Sequence, residues 1–180
     1  LLLLLIICAQ TNFAQIIYSD WAYTEFDSHA LILDISAKND NSKCMIDITN
    51  GKVISEVRMD EFIFEDPLMQ HDFLKNYVES DKYPVAILNA DILNLSEIHF
   101  TQVGIYIPIL KGFIEIHGEK QEVTIEGSIV VDEKNMIQAN ADFYIELNLF
   151  KIIIPEHNKL NISNKVKIST KFKFYDLLYT

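Results

Sequence analysis

Five histidines, His29, His71, His99, His117 and His157, are the side chains best suited to hold a metal or move a proton, and their spacing argues against both. No two stand at i, i+2 along a strand or at i, i+4 along a helix, the spacings that aim two rings at one ion. The chain has no Gly-x-Ser-x-Gly elbow, no Gly-rich phosphate loop and no Cys-His signature. No residue is therefore assigned a catalytic role, and no metal site is expected. Cys44 lies in Lys43-Cys44-Met45-Ile46-Asp47-Ile48, where alternate residues face inward. It reads as a small buried hydrophobe rather than a reactive thiol. Arg58, the only arginine, shares a strand face with Glu56 and Asp60, which points to a surface ion network. Pairing of Arg58 with an anionic headgroup is the other reading.

If chemistry is sparse, the elements around it must explain the chain. Its 180 residues, 49% hydrophobic, can bury one sizeable core, and no Pro, Gly or Ser-rich stretch marks a linker. A net charge of −11 supplies nothing to release counterions from a phosphate backbone, so nucleic acid is excluded as a partner. Leu1 to Ile7 is an unbroken apolar run, followed by Cys8 to Gln15 without charge. This reads as residues 1–14 of a truncated secretory signal cleaved after Ala14, leaving 15–180 as one domain in the periplasm or outside the cell. A buried N-terminal strand is the structural alternative. Acylation at Cys8 is disfavoured by the bulk of Ile7. After cleavage Cys44 would be the single thiol, so no intramolecular disulfide is expected.

Period-two alternation dominates the rest. Val123, Ile125 and Ile129 alternate with Glu122, Thr124, Glu126 and Ser128. Ile137, Ala139, Ala141, Phe143, Ile145 and Leu147 alternate with polar partners in the same way. Val166, Ile168, Phe172 and Phe174 alternate with four lysines, a stripe read as edge protection and solvation rather than a docking patch for anionic lipid. Links at Gly118-Glu119-Lys120 and Asp132 to Asn135 suit hairpins. The fold class is all-β, an antiparallel barrel of about eight strands, and the small inward Ala86, Ala90, Ala139 and Ala141 favour an interior with space. A sandwich with a filled core is the alternative. One segment breaks the pattern: Asp60 to Pro84 places Phe62 and Phe64 at a strand end, then a helix from Asp66 to Ser80 capped by Asp66 and opened by Pro67. Its apolar stripe of Leu68, Met69, Phe73, Tyr77 and Val78 needs a sheet surface, and a barrel opening provides one.

These residues carry a resemblance. Phe62-x-Phe64, Leu68-Met69-Gln70, Phe73, Asn76-Tyr77, Glu79-Ser80 and Lys82-Tyr83-Pro84, followed by Lys111 to Gly118, resemble in order and spacing the YceI-like family, notably its secreted members from Bacteroidetes-type bacteria. The match runs from about Cys44 to Phe174. Asp72 stands where that family often has a histidine, with His71 one position earlier. The resemblance implies a lipocalin-like barrel with an elongated apolar tunnel, no known catalytic residues, an extracytoplasmic location and binding of a polyisoprenoid lipid. An isoprenoid quinone or a prenyl phosphate would be the bound lipid. On this reading the tunnel is lined by Phe62, Phe64, Phe73, Tyr83, Leu88, Tyr106, Leu110, Ile114, Phe143 and Phe172, with the helix as a hydrophobic gate. Other readings are a solid-core interaction or stress-response module and a lipid-modifying enzyme using His71, His99 or His117. A homodimer and a transient membrane-surface contact are compatible with the sequence.

Overall fold

The computed structural model describes residues 15–174, so the leader-like stretch through Ala14 and the tail from Tyr175 lie outside the described residues. The strands are β1 (Ile16–His29), β2 (Asp34–Asn39), β3 (Lys43–Asp47), β4 (Lys52–Arg58), β5 (Ile63–Phe64), β6 (Val85–Ile92), β7 (Gly104–Tyr106), β8 (Ile109–Ile116), β9 (Glu119–Val131), β10 (Ile137–Glu146) and β11 (Lys165–Phe174). The helix α1 (Pro67–Asp72) follows β5.

Three pairs of short strands are interrupted long ones. β2 and β3 lie on one edge of β1 in a single register, from His29 opposite Asp34 to Ile16 opposite Asp47. β7 and β8 do the same along β9, from Gly104 opposite Val131 to Ile116 opposite Glu119. β4 and β5 are separated by a 3₁₀ turn at Met59–Glu61. Antiparallel pairing then runs β1, β3, β4, β6, β8, β9, β10, β11 and back to β1, a closed barrel of eight strands. Closure leaves β11 bonded on both sides, to β10 and β1. Its lysines therefore protect no edge. Lys173 lies over the Trp21 ring at 4.9 Å, Lys165 over Tyr144 at 4.5 Å, and Lys167 pairs with Asp142 at 3.1 Å.

Turn chemistry fits the links. His117 and Gly118 both take positive φ, the two-residue hairpin geometry that matches strand twist. Asn135 is also left-handed, and the Asp132 carboxylate accepts from the amides of Lys134 and Met136. Gly112 has a different reason. It lies opposite Ala90, and a Cβ there would meet the Asn89 carbonyl oxygen and stand 2.7 Å from the Ala90 Cβ.

The core divides along the barrel axis. One cluster packs Ile17, Ala22, Cys44, Ile46, Ile92, Phe100, Ile129, Ile137, Phe172 and Phe174. The other gathers Met59, Phe62, Phe64, Val78, Ile114, Ile125, Ile145, Phe150, Ile152 and Val166, and it is against this one that α1 and its continuation rest.

Candidate functional site: an apolar cavity with two lobes

Strand alternation sends Leu88, Ala139, Ala141, Phe143, Ile168 and Thr170 inward, yet each keeps accessible surface. That surface is the wall of a cavity, because all six line one of about 140 Å³ inside the barrel. A second cavity of about 310 Å³ lies toward the helix. Met59, Phe62, Ile116, Ile145 and Ile168 line both, so the two are neighbouring lobes that meet at a waist formed by these side chains. The interior is hollow rather than solid, and the outer lobe alone reaches the size range of small-ligand pockets.

The helix shapes the outer lobe. Asp66 Oδ1 accepts from the Leu68 amide at 2.8 Å, and Pro67 opens α1, as the sequence signals. The helix then widens into a π turn over Phe73–Tyr77, closed by the Val78 amide on the Phe73 carbonyl. Met69 from α1 and Phe73, Tyr77 and Val78 from this turn and its end all stand on the cavity wall. Leu68, expected on the same stripe, is instead 68% exposed, because the short α1 turns it away from the barrel. Phe26, Phe62, Phe64 and Phe73 form a ring cluster beside the lobe, with Phe73 5.0 Å from Phe64 and 5.3 Å from Phe26.

The rim of the outer lobe is polar. Asp72 and Tyr77 come from the helical segment and Asn158 and Asn161 from the loop before β11, all partly exposed, while Ser28 at the end of β1 is buried beneath them. Asn158 Nδ2 donates to the Tyr77 hydroxyl at 2.8 Å, tying helix to loop. The loop is anchored in turn: the Ser163 amide donates to Ser28 Oγ at 2.9 Å, and the Ile32 amide to the Leu160 carbonyl at 3.1 Å.

Eight of the ten residues expected to line a tunnel are on these walls. Leu88, Leu110, Ile114, Phe143 and Phe172 line the inner lobe, Phe64 and Phe73 the outer, and Phe62 both. Tyr83 and Tyr106 line neither. Tyr83 packs on the β8–β9 turn, its ring 4.5 Å from that of His117 and under Lys82. Tyr106 donates its hydroxyl to the Gln102 carbonyl at 2.9 Å and meets the ring of His99. Tyr83 lies ahead of β6, where strand alternation does not apply, whereas Tyr106 keeps the inward parity of Ile129 opposite it and packs against the inner core cluster without reaching a cavity wall. The waist residues Met59, Ile116, Ile145 and Ile168 were missed, although inward parity marks Ile145 and Ile168. The rim asparagines sit in an irregular loop and carry no periodic signal.

Buried polar groups beside the inner lobe are satisfied. Asn39, fully buried, donates to the Arg58 carbonyl and accepts from the Asn41 amide, both at 2.8 Å. Ser42 Oγ donates to Thr24 Oγ1 at 2.8 Å. This knot fills the break between β2 and β3. Cys44, also on the inner lobe, is buried, and burial pushes its thiol up to about 12.

None of the five histidines lines either lobe. His117 is held by Glu79 at 2.7 Å and by the Phe150 carbonyl at 3.1 Å, a clasp at the end of the helical segment. Arg58 pairs with Asp60 at 2.8 Å and Glu61 at 3.3 Å, outside the cavity. The hydrogen bond and charge of Arg58 hold the Asp60 carboxyl below its usual range. Among the described residues no group of three His, Cys, Asp or Glu side chains is placed to hold a metal ion.

No family model and no curated protein matches the chain. Solved structures do match in fold. A polyisoprenoid-binding domain from Saccharophagus degradans, implicated in plant cell wall breakdown, superposes with a TM-score of 0.75 over 90% of this chain and 98% of its own, at 12% identity. BcnA of Burkholderia cenocepacia gives 0.68 over 84% and 95%, at 13% identity. A YCEI protein of Campylobacter jejuni gives 0.55 over 76% and 81%, at 10% identity. The eight-stranded barrel with one short helix among the described residues is thus the fold of the YceI proteins.

Proposed function

We propose that this chain is a YceI-like, non-enzymatic carrier that holds a long isoprenoid or similar apolar lipid inside the barrel. The observation that carries this reading is the pair of neighbouring lobes, walled mostly by aliphatic and aromatic side chains and meeting at a shared waist. Its support from outside is the fold shared with a polyisoprenoid-binding domain. Burial alone supplies the driving force: hiding roughly 400 Å² of ligand surface is worth about 10 kcal/mol, which exceeds much of the cost of association. Few polar contacts are then needed. The leader-like stretch Leu1 to Ala14 supports an extracytoplasmic location, where such a carrier would meet lipid outside the inner membrane.

Native mass spectrometry of protein purified from a bacterial host without delipidation tests the reading. A co-purifying isoprenoid, displaced by added prenyl lipid, is the expected result. Lipid-free protein that takes up no added prenyl lipid at micromolar concentration overturns it.

A further inference from the structure

The two lobes differ in what their walls offer to a headgroup. In the inner lobe the polar side chains are hydroxyls, a thiol and one amide, several already paired: Ser55 Oγ donates to the Lys43 carbonyl at 3.0 Å, and Thr170 Oγ1 to the Ala141 carbonyl at 3.3 Å. In the outer lobe the partly exposed polar groups are Asp72, Tyr77, Asn158 and Asn161, at the rim, while Ser28 is buried and taken up by the Ser163 amide. A lipid with one polar end therefore sits with its tail past the waist and its head at this rim.

Charge at the rim has one sign. Among the described residues no lysine, arginine or histidine lines either lobe, and Asp72 is the one acidic residue on the walls. The two lysines nearest in sequence to rim residues are engaged elsewhere, Lys75 with Asp81 and Lys159 with Glu156. The Asp72 carboxylate accepts from Asn76 Nδ2 at 3.1 Å, a neutral donor that leaves its charge uncompensated. The net charge of −11 adds long-range repulsion of the same sign. Neutral hydrogen-bonding capacity is present by contrast. The Tyr77 hydroxyl accepts from Asn158, which leaves its own proton to donate.

We propose that the outer lobe selects an uncharged headgroup bearing hydroxyl or carbonyl oxygen, and that Asp72 is the residue that turns phosphorylated prenyl lipids away. A phosphate at this rim would face a like charge at the edge of a low-dielectric cavity, with no cation to offset its lost hydration. This inference rests on the carrier reading above and narrows it to prenols and quinone-like lipids.

Geranylgeraniol and geranylgeranyl monophosphate share one chain and differ in the head, so the ratio of their affinities isolates the headgroup. Binding to delipidated full-length protein is read by intrinsic fluorescence at low ionic strength, alongside squalene as a headless chain. The alcohol is expected to bind at least about tenfold more tightly than the phosphate. Asp72→Asn, which keeps the acceptor for Asn76, should narrow that ratio several-fold by improving phosphate binding alone, and added salt should narrow it for the unmodified protein but not for the variant. Equal binding of alcohol and phosphate, or an unchanged ratio in Asp72→Asn, overturns the headgroup proposal and leaves the carrier intact. Binding of none of the three lipids overturns the carrier, and this proposal with it.

Discussion

Asn158 Nδ2 and the Tyr77 hydroxyl meet at 2.8 Å across 81 residues of chain, joining the helical segment to the loop before β11 over the outer lobe. A lipid that loads through the rim must separate these two elements. Tyr77→Phe keeps the ring on the cavity wall and removes the acceptor, so stability should fall by only about 1 kcal/mol in urea denaturation. Lipid release should accelerate several-fold in a stopped-flow transfer assay. An unchanged release rate with the same loss of stability would show that loading avoids this seam.

Ala141 faces the inner lobe where the wall retains open space. Ala141→Phe should place its ring in the cavity rather than in packed neighbours, so the stability change stays within about 1.5 kcal/mol. Binding of the longest prenyl chains should weaken tenfold or more while short chains are unaffected. Titration with prenols of graded length checks this, and equal losses at every length would contradict it.

Gly112 tolerates no side chain, since a Cβ would meet the backbone of Asn89 and Ala90 on the adjoining strand β6. Backbone is less able to yield than a side-chain tip. Gly112→Ala should cost roughly 2 kcal/mol or more, measured by chemical denaturation. Gly104→Ala is the milder comparison, because its nearest neighbours, from 3.1 Å, all belong to the Tyr106 side chain rather than to backbone.

Cys44 is buried in the inner lobe with its thiol pushed up to about 12. Folded protein should therefore resist alkylation at pH 8 and react once unfolded. The sign for stability follows from linkage. The unfolded thiol ionises above ~8.5 while the folded one stays neutral, so its contribution is complete below ~8.5 and is lost as pH rises toward about 12. Denaturation curves of the unmodified protein and Cys44→Ala should converge across that window.

Much of this architecture was legible because alternation is a property of residue order. β9, β10 and β11 show it with only Gly127 and Thr170 breaking the apolar face, and inward parity marks Ala139, Ala141, Phe143 and Phe172, all on the inner wall. The cap at Asp66 was legible for an equally local reason, a carboxylate one residue before proline. What was not legible depends on partners distant in sequence. Tyr83 turns outward because His117, thirty-four residues on, offers its ring. Asn158 is a rim residue only because Tyr77 stands across from it. The π turn at Phe73–Tyr77 extends the inward set to Val78, which a regular helix would not pair so closely with Tyr77.

The turn at Met59–Glu61 breaks one strand path between β4 and β5, and the residues at its two ends, Met59 and Phe62, stand on the waist. The molecule is in this respect a ruler with one graduation. A chain that stops short of Met59 and Phe62 occupies only the outer 310 Å³, and a longer one gains the inner 140 Å³ only after passing them. Affinity should then climb with chain length in two steps separated by a plateau, not in even increments per isoprene unit.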